Sequence, residues 1–171
     1  LPNPLGFFPW TLKKIYQIIR SKMEQLISKL KQFQADSVVF YSTTHGFHWN
    51  VEGVLFTQYH AFFKEVYEDV YSTIDTISEY LRKYDEYAPF ALSEFMANAR
   101  ITEVRLQSTS PTTMSATLLG MNNIMLETIK DLFKVTQPLQ EQGLANFLAE
   151  RQDKHQFWGW WLRSSLKEAI N

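Results

Sequence analysis

The chain has 171 residues, 45% of them hydrophobic and 15% aromatic, which suits one domain with a sizeable core and excludes the composition of a disordered chain. It carries a net charge of −1 and no cysteine, so disulfides, thiolate zinc sites and cysteine nucleophiles are all excluded, and a reducing, cytoplasmic setting is expected. No run of about 18 apolar residues occurs, so no membrane span is expected. Chemistry must rest on the four histidines and the carboxylates.

Residues 1–10, LPNPLGFFPW, read as an apolar N-terminal extension; three prolines and no basic start set it apart from a signal peptide. From Leu12, apolar residues recur at three and four through Ile15, Ile19, Met23, Leu26, Leu30 and Phe33, and continue past Val38 and Tyr41, which predicts a helix over about 11–47. A second stripe, Tyr59, Phe63, Val66, Val70, Ile74, Ile77 and Leu81, predicts a helix over about 57–84. Residues 85–112 hold Pro89 and a Ser/Thr-rich stretch, with one short helical pattern in ALSEFMANAR. Ser110 and Pro111 look like an N-cap and a first-turn proline for a third long helix that stops before Pro138. Leu144, Leu148, His155, Leu162 and Leu166 then predict a fourth over about 139–168, despite Gly143 and Gly159. The expectation is a single all-α domain over 11–171. It is a four-helix bundle of ferritin-like connectivity, with a short extra helix in the long crossover between helices two and three.

His48 and His60 flank the short connection after the first helix, while Asp75 and Glu79 lie four apart on one face of the second. Along one straight helix His60 and Asp75 are about 22 Å apart at 1.5 Å per residue, too far for one ion to bridge. A bundle that supplies all its own di-iron ligands needs Glu-x-x-His on two helices. The residues three before His45, His48, His60 and His155 are Ser42, His45, Thr57 and Gln152, so that motif is absent. Two copies packed about a two-fold axis, with antiparallel second helices, would set His48 and His60 of one against Asp75 and Glu79 of the other, twice over. Two imidazoles and two carboxylates suit Fe(II), Mn(II) and Zn(II) alike. His45 and His155 are expected to be structural, His155 as a hydrogen-bonded core residue. Glu65 and Glu68 either face a cavity and nucleate mineral or simply sit on a solvated face, and Lys64 between them weighs against nucleation.

The run His48-Trp49-Asn50-Val51 with Gly53, then Phe56, His60, Phe63, Glu65, Tyr67, Asp75 and Glu79, resembles the signature of the Dps family, the miniferritins. The C-terminal DKHQFWGWWLRSSL is similar to that family's last helix. The resemblance implies a hollow homo-oligomer, a dodecamer, with ferroxidase sites at its two-fold interfaces. There a di-iron pair would be oxidised from Fe(II) to Fe(III), preferably by hydrogen peroxide, and stored as ferric mineral, protecting against oxidative damage. It assigns His48, His60, Asp75 and Glu79 as iron ligands and places Trp49 beside them, where it could intercept radicals. Zn or Mn are the other metals this ligand set accommodates.

Charge is uneven along the chain. Residues 11–35 hold Lys13, Lys14, Arg20, Lys22, Lys29 and Lys31 against the single Glu24, whereas residues 37–90 hold eight acidic and three basic side chains. A basic outer helix permits weak, salt-sensitive contact with DNA phosphates. The uncharged LPNPLGFFPW is unlike the Lys-rich tail that serves DNA binding in the family, and its Phe7, Phe8 and Trp10 are expected to pack on a neighbouring subunit or another protein. QPLQEQGLANF, near the start of the last helix, offers only Glu141 where the family often gathers acids around a pore. Two further readings stay open: a structural or DNA-packing bundle with little ferroxidase activity, and a mononuclear oxygenase using two histidines and one carboxylate.

Overall fold

Apolar residues spaced at three and four can bury only if their helices pack side by side, and the described residues do this with five α-helices. The computed structural model describes residues 10–167; residues 1–9, most of the predicted apolar extension, and residues 168–171 lie outside the described part. The helices are α1 (Trp10–Asn50), α2 (Phe56–Lys83), α3 (Leu92–Asn98), α4 (Pro111–Thr136) and α5 (Gln142–Ser165), and no strand occurs among the described residues. α1 packs on α2 and α4, α4 packs on α5, and the short α3 lies against α1. This is the expected four-helix bundle with a small extra helix in its crossover.

Boundaries differ from expectation where local hydrogen bonding decides them. α1 takes Trp10 from the predicted extension and runs three residues past 47. Gly46 does not stop it, because Asn50 Nδ2 donates to the Gly46 carbonyl at 2.7 Å and the Val51 N–H to the Phe47 carbonyl at 2.9 Å. α5 starts at Gln142, later than 139, because Gln137–Leu139 form a 3-10 turn and Gln140 then takes a left-handed φ of 58°. Such a residue ends one helix and redirects the chain before the next. Ser110 does precede Pro111 at the start of α4, but its side chain makes no capping bond.

The core is built from Leu26, Leu30, Phe33 and Phe40 of α1, Phe63, Val66, Val70, Ile77 and Leu81 of α2, Leu118, Met125, Ile129 and Leu132 of α4, and Leu148 and Leu162 of α5. Each such buried side chain contributes about 1.5–3 kcal/mol before the entropy of ordering is set against it. Ile15 and Ile19 correct the reading of the first stripe: each is 52% exposed, because α1 overshoots the bundle and no other helix reaches its first turns.

Two carboxylates, one buried and one half-buried, tie the layers together. Asp36 of α1, fully buried, accepts the Arg100 N–H at 2.6 Å, the Ile101 N–H at 2.9 Å and the Thr128 hydroxyl at 2.9 Å, anchoring the irregular crossover between α1 and α4. Burial raises its pKa, and those bonds oppose the rise. Asp69 of α2 accepts both terminal nitrogens of Arg151 at 3.0 and 2.6 Å and the Trp158 indole N–H at 3.0 Å. Burial alone would raise its pKa, but the Arg151 guanidinium and the indole outweigh that and hold it below the usual 3.8. A carboxyl with a depressed pKa contributes stability that is present above its unfolded value and is lost as pH falls through its folded value.

Asp69→Asn leaves the Arg151 guanidinium buried without its charge partner, and unpaired buried charges of this kind cost about 3 kcal/mol or more. The urea midpoint of the variant is therefore expected to fall well below that of the parent at neutral pH. The gap should begin to narrow as pH falls below 3.8, the unfolded value, and narrow further as it falls through the parent's lower folded value. An equal gap at both pH values would assign the effect to packing alone.

Candidate metal centre

α1 and α2 meet at a turn whose geometry sets two histidines face to face. Between them Gly53 adopts φ 111°, a conformation that side-chain-bearing residues rarely take, and the Phe56 N–H closes back onto the Gly53 carbonyl at 3.0 Å. The Glu52 N–H donates to the Thr109 carbonyl at 3.0 Å, which ties this turn to the end of the crossover. The last carbonyls of a helix have no partner within it. One of them, that of His48, accepts Nδ1 of His60 at 2.8 Å, and the His60 carbonyl in turn accepts Nδ1 of His48 at 2.7 Å.

This reciprocal pair fixes the chemistry of both rings. A carbonyl oxygen can only accept, so each Nδ1 carries a proton, and Nε2 is the nitrogen left on each ring to ligate a metal. The two rings stack with centroids 3.7 Å apart and planes 25° apart. Phe56 lies over His60 at 4.9 Å and Tyr67 meets His48 edge-on at 5.3 Å, so aromatic walls hold the pair in place. His48 is buried and His60 half-buried, which leaves the pair near the surface.

The other sequence-selected residues fall around or away from this pair. His45 stacks on Tyr67 at 4.0 Å and on Trp49 at 4.1 Å, and its Nδ1 is 3.2 Å from the Tyr41 hydroxyl. Burial, and then the nearby His48, lower its pKa, so it forms part of the wall. Trp49 is exposed and reaches the pair only through His45. Asp75 and Glu79 lie exposed further along α2, about 22 and about 28 Å from His60 at the helical rise, and the structure does not bring them to the histidines within one chain. Among the described residues no three His, Asp or Glu side chains converge in a way that could hold a metal ion. Glu65 and Glu68 are exposed, and Glu68 pairs with Lys64 at 3.7 Å. His155 is buried and donates from Nδ1 to Asn122 Oδ1 at 2.8 Å, while Asn122 Nδ2 donates back to the His155 carbonyl at 2.8 Å. Its burial lowers its pKa to about 3, so it is a neutral core residue as expected.

Tyr67 and Phe56 were given no role from sequence, yet they shape the pair. The signal was the spacing: Phe56 precedes His60 by four and Tyr67 follows it by seven, one and two turns on the same face of α2.

With fold and geometry in hand, comparison with known proteins gives the class. The sequence matches the family model for the ferritin-like domain over residues 27–169, and the chain belongs to that family. Its relatives include DNA protection during starvation protein 2 of Bacillus anthracis, 23% identical over 145 residues and covering 85% of this chain and 99% of the relative. The DNA protection during starvation protein of Helicobacter pylori is 34% identical over 74 residues, covering 43% of this chain and 51% of the relative. The crystal structure of the Dps protein of Vibrio cholerae O1, titled as a member of a broad superfamily of ferritin-like diiron-carboxylate proteins, superposes with a TM-score of 0.81. It is 24% identical, over 86% of this chain and 92% of that one. Within the ferritin-like proteins the chain falls in the Dps, or miniferritin, family.

Nothing lies within 4 Å of where a Cβ at Gly53 would sit, so Gly53→Ala tests the backbone conformation alone. The substitution is expected to cost about 1–2 kcal/mol through the unfavourable φ. Thermal unfolding should show the loss, and a variant as stable as the parent would mean that the turn relaxes freely.

Proposed function

We propose that this chain is the subunit of an iron-storing and iron-oxidising miniferritin whose reaction site is shared between two copies. The single observation that carries this reading is the reciprocal lock of His48 and His60, which occupies both Nδ1 atoms and leaves both Nε2 atoms available to a metal, coupled with the absence of a converging third ligand among the described residues. The missing half is supplied by Asp75 and Glu79 of a second copy across a two-fold axis, and the symmetry makes two such sites per pair of subunits. Family membership supports iron storage and protection as the broader role. A soluble homododecamer is the expected assembly; among the described residues no helix is long and apolar enough to cross a membrane.

Iron is the substrate here. The imidazoles set the geometry at one edge, while the two carboxylates, as hard anionic ligands, favour the ferric charge over the ferrous one. Hydrogen peroxide is the oxidant. Two Fe(II) ions each give up one electron, the O–O bond breaks, and two protons are taken up to yield two waters and two Fe(III), so no single-electron step releases a hydroxyl radical. Trp49, exposed and tilted against His45 at 4.1 Å, is the side chain that would quench an oxidising equivalent that escapes.

Fe(II) loaded anaerobically and treated with peroxide should develop ferric absorbance at 300–400 nm, and His48→Ala with His60→Ala should slow it at least tenfold, as should Asp75→Asn with Glu79→Gln. The shared site makes a sharper demand. Subunits of these two variants, each inactive alone, should regain activity when refolded together in equal amounts, because one of the two sites in each mixed pair is intact. Random pairing predicts roughly a quarter of the parental activity. No recovery on mixing would place all the ligands in one chain and sink the proposal, as would a solution mass that stays at 20.1 kDa.

A further inference from the structure

α1 begins well ahead of the bundle. From Trp10 to Arg20 every residue but Lys13 is exposed, and the first fully buried side chain of the helix is Leu26. The ferritin-like match begins at residue 27, so the family fold does not require this segment. Yet the segment is not polar: Trp10, Leu12, Ile15, Tyr16, Ile18 and Ile19 are each 47–72% exposed. At about 100° per residue, Leu12, Ile15 and Ile19 share one face, with Lys22 at its edge, and Lys13, Lys14 and Arg20 lie on the opposite half together with Trp10.

We propose that this basic, amphipathic start of α1, residues 10–22, docks the protein on anionic lipid headgroups, with the isoleucine face laid into the headgroup boundary and the cations against the lipid phosphates. Charge complementarity selects this occupant. Lys13, Lys14, Arg20 and Lys22 face only one acid, Glu24, which is already paired with Arg20 at 2.9 Å. A second copy of the same segment would bring like charges together. A duplex would engage the cations but leave the apolar face in water. An anionic bilayer satisfies both faces, and a helix with Lys/Arg on one face and aliphatic residues opposite is the kind that lies in the interface. Trp10 at the outer end, with Lys14 over its ring at 5.3 Å, suits the headgroup level. The helix lies on the membrane and does not cross it. The inference is independent of the iron reading, since none of these residues belongs to the metal centre.

The test is co-sedimentation of the full chain with phosphatidylcholine vesicles containing about 30% phosphatidylglycerol, beside pure phosphatidylcholine vesicles, at about 0.1 M salt. Binding is expected to the anionic vesicles and to be at least tenfold weaker on the neutral ones. Ile15→Glu with Ile19→Glu should abolish it. Lys13→Glu with Lys14→Glu should weaken it roughly 25-fold or more, at about fivefold per cation removed from the surface. Peroxide-driven iron oxidation should be unchanged in both variants, so failure here and failure of the iron reading give different results. Three outcomes would overturn the proposal. One is no sedimentation with anionic vesicles. Another is binding that survives the isoleucine changes but follows the lysines onto duplex DNA. The third is a change of solution mass in the isoleucine variant, which would make the face a contact between copies.

Discussion

A helix is a rigid rod, and α2 imposes that rigidity on everything the protein can do with metal. His60 stands in its first turns and Asp75 and Glu79 in its second half, and no bend or kink brings them together. The same rod carries Asp69, whose bonds to Arg151 and Trp158 pin α2 to α5, and so hold the carboxylate half of the helix in register with the bundle. The proposed ligands of one chain are thereby divided into two groups, each held in place by the packing of the helices that carry it.

The half that contains the histidines is organised by backbone. The His48 carbonyl left free at the end of α1 and the His60 carbonyl in the first turns of α2 accept the Nδ1 protons of the two rings, so the orientation of both imidazoles is set by the place where two helices meet. This explains the dense set of residue types over 45–60. Gly53 turns the chain, Phe56 and Tyr67 wall the rings, and Thr109, at the far end of the crossover, receives the turn's Glu52 N–H. The crossover is in turn fixed by Asp36, so a buried carboxylate in the middle of α1 supports the turn at its end.

Much of this was legible in the sequence, for a physical reason: long helices with regular stripes state their own length and burial, and Phe33, Phe63, Val66, Leu118 and Leu148 are buried as their spacing required. The ends were less legible. Whether Gly46 breaks α1, or Gln140 delays α5, depends on single hydrogen bonds and one left-handed residue that no periodicity encodes. Ile15 and Ile19 show the limit of the method from the other side, since a stripe records an apolar face without saying whether a partner exists for it. At the candidate metal centre the residue types and their separation along α2 could be read from the sequence. The Nδ1-to-carbonyl exchange and the aromatic wall could not, because they depend on how two helices cross.

The methionines of α4 carry one more consequence. Met114, Met121 and Met125 form a buried row facing the core, Met23 is half-buried, and the chain has no thiol at all. Sulfur is the element that peroxide attacks most readily in proteins, converting a flexible apolar thioether into a polar sulfoxide that disrupts packing. In this subunit the exposed target is Met96 on the small crossover helix, outside the main core. Damage there alters a short surface element, while the sulfur on which the core's cohesion depends is sealed behind side chains that oxidant cannot reach without unfolding.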